Sequence, residues 1–158
     1  MKAAVIFGSR SDQGIMQKAA AVLREYGVDF SAHAVSAHRT PELLDRTIRE
    51  LEEGGTEVII AGAGLAAHLP GVIAAKTLIP VIGVPIASGT LGGMDALLSI
   101  VQMPRSVPVA AVGVDNASNA AYLAVQILSV KYPELKKKLA EYKAGMKDQL
   151  AGESRIDL

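Results

Sequence analysis

The sequence predicts an α/β protein in which a doubly wound parallel sheet lies between two layers of helices. Two observations support this prediction. Short apolar runs, typical of buried strands, alternate with segments of helical periodicity along most of the chain. No linker, repeat or low-complexity stretch interrupts this alternation, and 158 residues are too few for two ordinary domains. We therefore expect a single domain over residues 1–158, with three layers (α/β/α) and a C-terminal helix.

The strands are predicted where apolar residues, many of them β-branched, run together between turn residues. In chain order they span residues 3–7, 30–35, 58–61, 81–84 and 107–114. Runs that lack a polar alternate position are typical of parallel strands buried on both faces. Pro85 is expected to end the fourth strand, because proline has no N–H for the hydrogen-bond ladder.

The helices are predicted from apolar side chains at three- and four-residue spacing. Shorter helices are predicted over residues 69–77 and 95–102. The expected N-caps are Thr40, Asp95, and either Asn116 or Ser118. The longer helices are expected to bury Met16, Ala19, Ala20 and Leu23, then Leu44, Thr47, Ile48 and Leu51, and finally Leu123, Ile127 and Leu128.

A last helix is predicted over residues 133–150, beginning at Pro133. Its stripe of Leu135, Leu139, Tyr142 and Met146 has the 4-3-4 spacing of a helix-on-helix contact. The stripe is explained either by packing on the protein's own sheet or by contact with another subunit.

Composition excludes several classes of function. Lys plus Arg (16) equals Asp plus Glu (16), so there is no basic surplus for nucleic acid or an anionic membrane. The absence of cysteine removes disulfides, thiolate catalysis and Cys-ligated metals, and three histidines make a metal site improbable. We expect a cytoplasmic protein, because the N-terminal run of apolar residues is too short for the core of a signal peptide.

The apolar content is high for a chain of this size. Half of the residues are hydrophobic and the mean hydropathy is +0.30, which indicates either a membrane or a partner subunit. The most apolar stretch, residues 58–87, contains His68, Lys76 and Pro70. Two buried strands on either side of a short helix therefore explain it better than a membrane span.

Polar residues follow the first two predicted strands. Residues 8–12, Gly-Ser-Arg-Ser-Asp, join two hydroxyls and a carboxylate at a helix N-terminus, where backbone N–H groups favour an anion. Residues 36–41, Ser-Ala-His-Arg-Thr-Pro, place His38 beside Arg39; histidine suits proton transfer near neutral pH and arginine suits phosphate. Helix capping and solvated side chains are the simpler explanations of the two segments.

The third strand is followed by small residues and a further histidine, His68. The main chain at Ala63 and Gly64 could lie close to a flat ligand, although tight packing with His68 in the core explains the segment equally well. If the first strand lies between the second and third, as in a flavodoxin-like sheet, the three segments meet at one sheet edge. Together they predict a site for a nucleotide monophosphate. His33 lies within a strand and is expected to be structural.

These segments resemble those of class I N5-carboxyaminoimidazole ribonucleotide mutases, the PurE family of purine biosynthesis. The resemblance rests on residues 8–12, 36–41, 61–71, 80–85 and 95–104, including Ala-Ala-His-Leu-Pro-Gly at 66–71. It implies a homo-octamer with sites near subunit contacts and no metal or organic cofactor. The implied reaction is an isomerisation that moves a carboxylate from the exocyclic N5 of the substrate to C4 of its imidazole. An ATP-dependent enzyme makes the substrate in that pathway, and a transient contact with it is a further expectation.

The resemblance also implies a role for each matched residue. His38 falls on the general acid/base and His68 on a second histidine lining the pocket. Asp12 falls on the position that holds the ribose hydroxyls. Phosphate contacts are implied for Ser9, Ser11, Ser36 and Arg39. The chain departs from the family at Leu65, where a third glycine is usual, and at Ala96, where serine is common.

Two alternatives remain open from the sequence. Class II relatives carboxylate aminoimidazole ribonucleotide directly with CO2, but their motifs resemble Ser-Ala-His-Lys-Thr and Ala-Gly-Arg-Ser, which differ from residues 36–40 and 61–64 here. A non-catalytic, flavodoxin-like nucleotide-binding module would need the anion loop but not an apolar pocket with two histidines.

Overall fold

Five parallel strands form the sheet at the centre of the structure, a computed structural model that describes residues 1–152 and 154. The strands are β1 (Lys2–Phe7), β2 (Asp29–Ala34), β3 (Val58–Gly64), β4 (Val81–Ile86) and β5 (Ala110–Ala111). Their order across the sheet is β2-β1-β3-β4-β5, the flavodoxin-like order expected from the sequence. The carboxyl ends of β2, β1 and β3 are therefore neighbours.

Helices cover both faces of the sheet. They are α1 (Gln13–Tyr26), α2 (Pro41–Glu53), α3 (Leu69–Ala74), α4 (Met94–Val101), α5 (Ala117–Ser129) and α6 (Pro133–Gly152). One apolar cluster joins α1, α5 and α6 to the sheet, and a second joins α2, α3 and α4 to the opposite face. The predicted α/β fold with three layers is confirmed, as is the predicted buried face of α1 and of α2.

The prediction of strands at residues 81–84 and 107–114 was wrong in extent. β4 continues through Pro85 to Ile86. β5 pairs with Ile82 and Gly83 and does not reach Pro85, so no hydrogen bond between these two strands is lost through the missing N–H of the proline. The fifth strand is reduced to two residues, which pair with Ile82 and Gly83. Pro108 lacks an N–H, and Ser106 has a φ of 76°, so the approach to β5 is not extended backbone.

Two predicted caps behave differently in the structure. Thr40 has the predicted N-cap position before α2, but its hydroxyl donates to the Ser36 carbonyl at 3.1 Å instead of capping. Asp95 does not cap α4, because that helix begins earlier: Leu97 N–H donates to the carbonyl of Gly93, the actual N-cap. Asp95 lies in the first turn instead.

Helix α5 buries alanines more deeply than its larger side chains. Asn116, one of the two predicted candidates, is its N-cap, with Oδ1 accepting from Asn119 N–H at 3.1 Å. Leu128 is buried as expected, but Leu123 and Ile127 are only half-buried at the margin of the cluster. Small side chains let α5 pack directly against α1 and are therefore the ones enclosed; the buried set includes Ala117, Ala120, Ala121, Ala124 and Val125.

The C-terminal helix α6 runs two residues beyond its predicted end. Leu135 and Leu139 are buried on the protein's own core, where Leu139 is 8% exposed. Tyr142 stacks on Tyr122 of α5 with ring centroids 5.3 Å apart, yet it is 41% exposed. The first half of the stripe therefore packs within the chain, and the second half, Tyr142 and Met146, is only partly covered by it.

The most apolar stretch of the chain forms β3, α3 and β4, as predicted. Within residues 1–152 and 154, no helix has both the length and the apolar character that crossing a membrane requires.

Candidate active site

Ser9 and Asp12 fix the turn that follows β1. Ser9 N–H donates to Asp12 Oδ2 at 3.1 Å, and Ser9 Oγ accepts from Ser11 N–H at 3.4 Å. The Ser11 hydroxyl lies 2.9 Å from Ser9 Oγ and 3.1 Å from Asp12 Oδ1. This capping box belongs to a short 3₁₀ turn, Arg10–Asp12, whereas the Asp12 side chain does not cap α1. The turn holds two hydroxyls and a carboxylate in fixed positions at the carboxyl end of β1.

Arg39 connects the turn after β2 with the turn after β1. Its backbone N–H and its Nε both donate to Ser36 Oγ, at 3.2 and 3.3 Å. Its Nη2 donates to the Gly8 carbonyl at 3.2 Å. A guanidinium has five N–H donors, so this anchoring fixes the group and leaves others for an anion.

His38 and His68 are in direct contact. Nε2 of His38 lies 2.8 Å from Nδ1 of His68, and the two rings meet edge to face with an angle of 86°. A hydrogen bond at this distance requires one nitrogen to carry a proton and the other to offer its lone pair. His68 is exposed at the residue before α3, so its interpretation as a core histidine was wrong.

The two glycines at the end of β3 are required by contacts with different neighbours. Gly62 faces Met16 of α1, whose sulfur lies where a β-carbon at residue 62 would be, so tight packing explains this glycine. A β-carbon at Gly64 would lie 3.0 Å from the Ile86 carbonyl oxygen and 3.1 Å from Ser88 Cβ. The end of β3 therefore passes close to the segment after β4, and a residue without a side chain is needed at this close approach.

One cavity of about 470 Å³ lies where these segments meet. Its volume is in the range of small-molecule sites. Every residue that the sequence analysis selected for the site lines it: Ser9, Ser11, Asp12, Ser36, His38, Arg39, Ala63, Gly64 and His68.

Some lining residues were not predicted from the sequence. Ser88 follows β4 and is found by the same rule of strand ends, but the predicted strand stopped too early to draw attention to it. Leu69 also lines the cavity, and so does Leu65, which the sequence had already marked as a departure from the family pattern. Next to the cavity, a cleft of about 480 Å³ shares Ser9, Ser36 and Arg39 with it.

Leu65 has a backbone conformation that suits glycine. Its φ is 55°, in the left-handed region that bulky side chains rarely adopt. This conformation agrees with the glycine that the resemblance implied at this position. The side chain is 52% exposed and lies against Gly89, where its Cδ2 would be 2.9 Å from an added β-carbon. Ala96, the second departure, is fully buried against the sheet.

His33 lines neither the cavity nor the cleft. It is half-buried in β2, its Nε2 lies 2.9 Å from Ser31 Oγ, and burial lowers its pKa. These contacts agree with the structural role expected for it. Among the described residues, no group of three or more His, Cys, Asp or Glu side chains could hold a metal ion.

The sequence model of the AIR carboxylase family matches residues 2–149, which include every residue of the cavity. The chain belongs to this family. Among the solved structures, that of Treponema denticola PurE is similar, with a TM-score of 0.89 and 26% identity over 99% of each chain.

Curated relatives carry two different names. A Pyrococcus abyssi N5-carboxyaminoimidazole ribonucleotide mutase is 60% identical over 92% of this chain and 84% of its own length. The mutase of the same name from Thermotoga maritima is 53% identical over 92% and 85%. A chloroplastic phosphoribosylaminoimidazole carboxylase of Vigna aconitifolia is 49% identical over 94% of this chain but only 27% of its own.

Proposed function

We propose that this protein is an isomerase of purine biosynthesis that converts N5-carboxyaminoimidazole ribonucleotide to 4-carboxyaminoimidazole ribonucleotide. The observation that carries the proposal is the hydrogen-bonded pair of His38 and His68 in the same cavity as the anchored guanidinium of Arg39. One end of the cavity can bind a phosphate, and the other end can exchange protons. The names of the mutase relatives agree with this chemistry.

The phosphate is bound by the hydroxyls of Ser9, Ser11 and Ser36 together with Arg39. Arginine and hydroxyl donors are suited to a phosphate dianion, and Arg39 is held in place before the ligand arrives. Asp12 accepts hydrogen bonds from the ribose hydroxyls, because a carboxylate has more lone pairs than its two contacts within the turn use. These contacts place the imidazole of the substrate towards Ala63, Gly64 and the histidines.

The reaction proceeds by decarboxylation and recarboxylation. The bond between N5 and the carboxylate carbon breaks, the electron pair stays on N5, and His38 supplies the proton that N5 takes up. C4 of the electron-rich ring then forms a bond to the carbon of CO2, and the C4 proton leaves to the same imidazole, which restores its starting state. His68 exchanges protons with His38 across their 2.8 Å contact.

An apolar cavity wall favours the decarboxylation step. Decarboxylation disperses the negative charge of a carbamate, and an apolar environment stabilises a dispersed charge relative to a localised one. Ala63, Ala66 and Leu69 supply such a wall beside the histidines.

The test of this function is the substitution His38→Asn. We expect turnover to fall below detection while the dissociation constant for the ribonucleotide product changes by less than about threefold, because the phosphate contacts remain. His33→Asn is the matched control, since His33 lies outside the cavity, and should retain turnover. Normal turnover by His38→Asn would remove His38 from the mechanism.

Direct carboxylation of aminoimidazole ribonucleotide by CO2 is the second candidate. The observation in its favour is the name of the Vigna relative, a carboxylase. The two reactions share a product and differ in substrate. Arg39 and the Gly-Ala-Gly sequence of residues 62–64 favour the mutase, as the resemblance implies.

We further propose that the protein forms a homo-oligomer, an octamer by resemblance, in the cytoplasm. The exposed face of α4 supports this: Met94, Leu98 and Val101 are each at least half exposed, and Asp95 is the one charged residue between residues 88 and 104. Sedimentation of the purified protein as a monomer at micromolar concentration would contradict the oligomer. Contact with the enzyme that supplies the substrate is proposed on the same resemblance.

A further inference from the structure

Leu65 is a bulky lining residue to which the proposed chemistry gives no role. It is the one bulky side chain in the segment of glycines and alanines that ends β3, and its left-handed backbone would be relaxed with glycine. A strained residue that persists at a cavity is a reason to ask what its side chain does there.

The surroundings of Leu65 make it a wall of the cavity. Its Cδ2 occupies the space in which a side chain at residue 89 would begin, and Gly89 itself has a φ of 66°. Gly64, the preceding residue, lies close to Ser88 of the same loop. The leucine therefore bridges the end of β3 and the loop after β4, and it lines the same cavity as His38 and His68.

We infer that the Leu65 side chain limits the escape of CO2 from the cavity between the two halves of the reaction. The inference rests on the proposed mutase function, in which CO2 is free of the substrate for part of each turnover. Carbon dioxide carries no charge and donates no hydrogen bond, so an apolar side chain that closes the cavity sterically is suited to retain it. The retained molecule stays beside C4 and forms the new bond, while the nitrogen left behind keeps its proton.

The experiment follows the origin of the transferred carbon. The protein receives N5-carboxyaminoimidazole ribonucleotide labelled with ¹³C in its carboxylate, in buffer that contains unlabelled bicarbonate and carbonic anhydrase. Mass spectrometry then measures the label in the C4-carboxylated product, and chromatography measures aminoimidazole ribonucleotide that has lost its CO2. For the unchanged protein we expect most of the product to keep the label.

For Leu65→Gly we expect the ratio of escaped to transferred label to rise about tenfold, a change that corresponds to about 1.4 kcal/mol in the competition between the two steps. Glycine is compatible with the left-handed backbone at this position, so the variant is expected to fold. Leu65→Ala keeps the β-carbon and should give an intermediate ratio. Leu78→Ala is the control, because Leu78 is fully exposed and lines neither the cavity nor the cleft.

Equal label retention by Leu65→Gly and by the unchanged protein would overturn the inference and leave the mutase function intact. Product that is formed without any retained label in the unchanged protein would also overturn it, since no CO2 would then be held. Absence of product from the labelled substrate would contradict the proposed function, and the role of Leu65 with it.

Discussion

Among single side chains, Arg39 is the one on which the proposed phosphate contact depends most. Its guanidinium is anchored to Ser36 and to the Gly8 carbonyl, so it joins two loops as well as offering positive charge. The carboxylate of Asp12 is engaged within its own turn and does not neutralise it. A ligand with a phosphate therefore meets a cation whose orientation is already fixed.

We predict that Arg39→Ala weakens the binding of phosphorylated ligands by about 10- to 100-fold, the effect of losing about 1.5–3 kcal/mol from a charged hydrogen bond. Isothermal titration with the ribonucleotide product measures it. Arg46→Ala is the control, because Arg46 lies on α2, pairs with Glu50 of the same helix, and lines neither the cavity nor the cleft. Unchanged affinity in the Arg39 variant would contradict its assignment to the phosphate.

The two departures from the family pattern have different consequences at this scale. The left-handed backbone of Leu65 costs about 1–2 kcal/mol relative to an ordinary conformation. Ala96 is enclosed in the core, where a serine hydroxyl would need a hydrogen-bond partner. The strain at Leu65 could not be predicted from one sequence, because it depends on how β3 ends against the loop after β4.

Elements of the fold differ in how well the sequence predicted them. β1 and β3 are enclosed by neighbours on both sides, and α2 has a clear apolar stripe, so local pattern and tertiary environment agree. The fifth strand is at the sheet edge, where it pairs over two residues and Pro108 interrupts the segment before them. The apolar residues there predict a strand of eight residues, but β4 offers backbone pairing to only two of them.

The candidate site was predicted more fully than the edge of the sheet. Parallel strands bring their carboxyl ends to one side, so the loops after β1, β2 and β3 could be expected to meet. The contact between His38 and His68 could not, because it depends on the orientation of α3 relative to α2. Ser88 was missed because it follows a strand whose end was assigned too early at Pro85.

Helix α6 is attached to the core by the first half of its apolar stripe. We predict that Leu135→Ala lowers the free energy of unfolding by about 2–5 kcal/mol, since Leu135 is fully buried and its loss leaves a cavity. Lys136→Ala, on the neighbouring exposed position, should change it by less than about 0.5 kcal/mol. Urea unfolding followed by circular dichroism measures both. Equal stability of the two variants would contradict the docking of α6 on this core.

Across the whole molecule, the carboxyl and amino ends of the sheet differ in what they contain. The carboxyl end holds the cavity. Beside the amino end, Glu57 precedes β3 and accepts hydrogen bonds from Lys131 Nζ and from the Tyr132 hydroxyl, both at 2.8 Å. Its Oε1 also lies 3.8 Å from the amino terminus. These contacts join the start of β1, the start of β3 and the link between α5 and α6.

The Glu57 contacts predict a pH dependence of stability. The hydrogen bond from Lys131, followed by that from Tyr132, holds the pKa of Glu57 below its usual value of 4.5. A carboxyl group with a lowered pKa stabilises the folded state fully above the unfolded pKa and loses this effect as pH falls through the folded pKa. We therefore expect Glu57→Gln to be less stable than the unchanged protein at pH 7.

This difference should begin to narrow below about pH 4.5, where the unfolded chain takes up the proton, and should be lost once the pH has fallen through the lowered pKa of folded Glu57. Thermal unfolding of both proteins between pH 3 and pH 7 measures it. A difference that stays constant over this range would show that the charge of Glu57 contributes nothing to stability.

The central claim is that the cavity moves a carboxylate within one ribonucleotide, and a comparison of two substrates tests it most directly. The purified protein receives freshly prepared N5-carboxyaminoimidazole ribonucleotide in one arm and aminoimidazole ribonucleotide with bicarbonate in the other. The absorbance of the C4-carboxylated product is followed in both. The mutase assignment predicts faster product formation from N5-carboxyaminoimidazole ribonucleotide; faster formation from aminoimidazole ribonucleotide at physiological CO2 would contradict it.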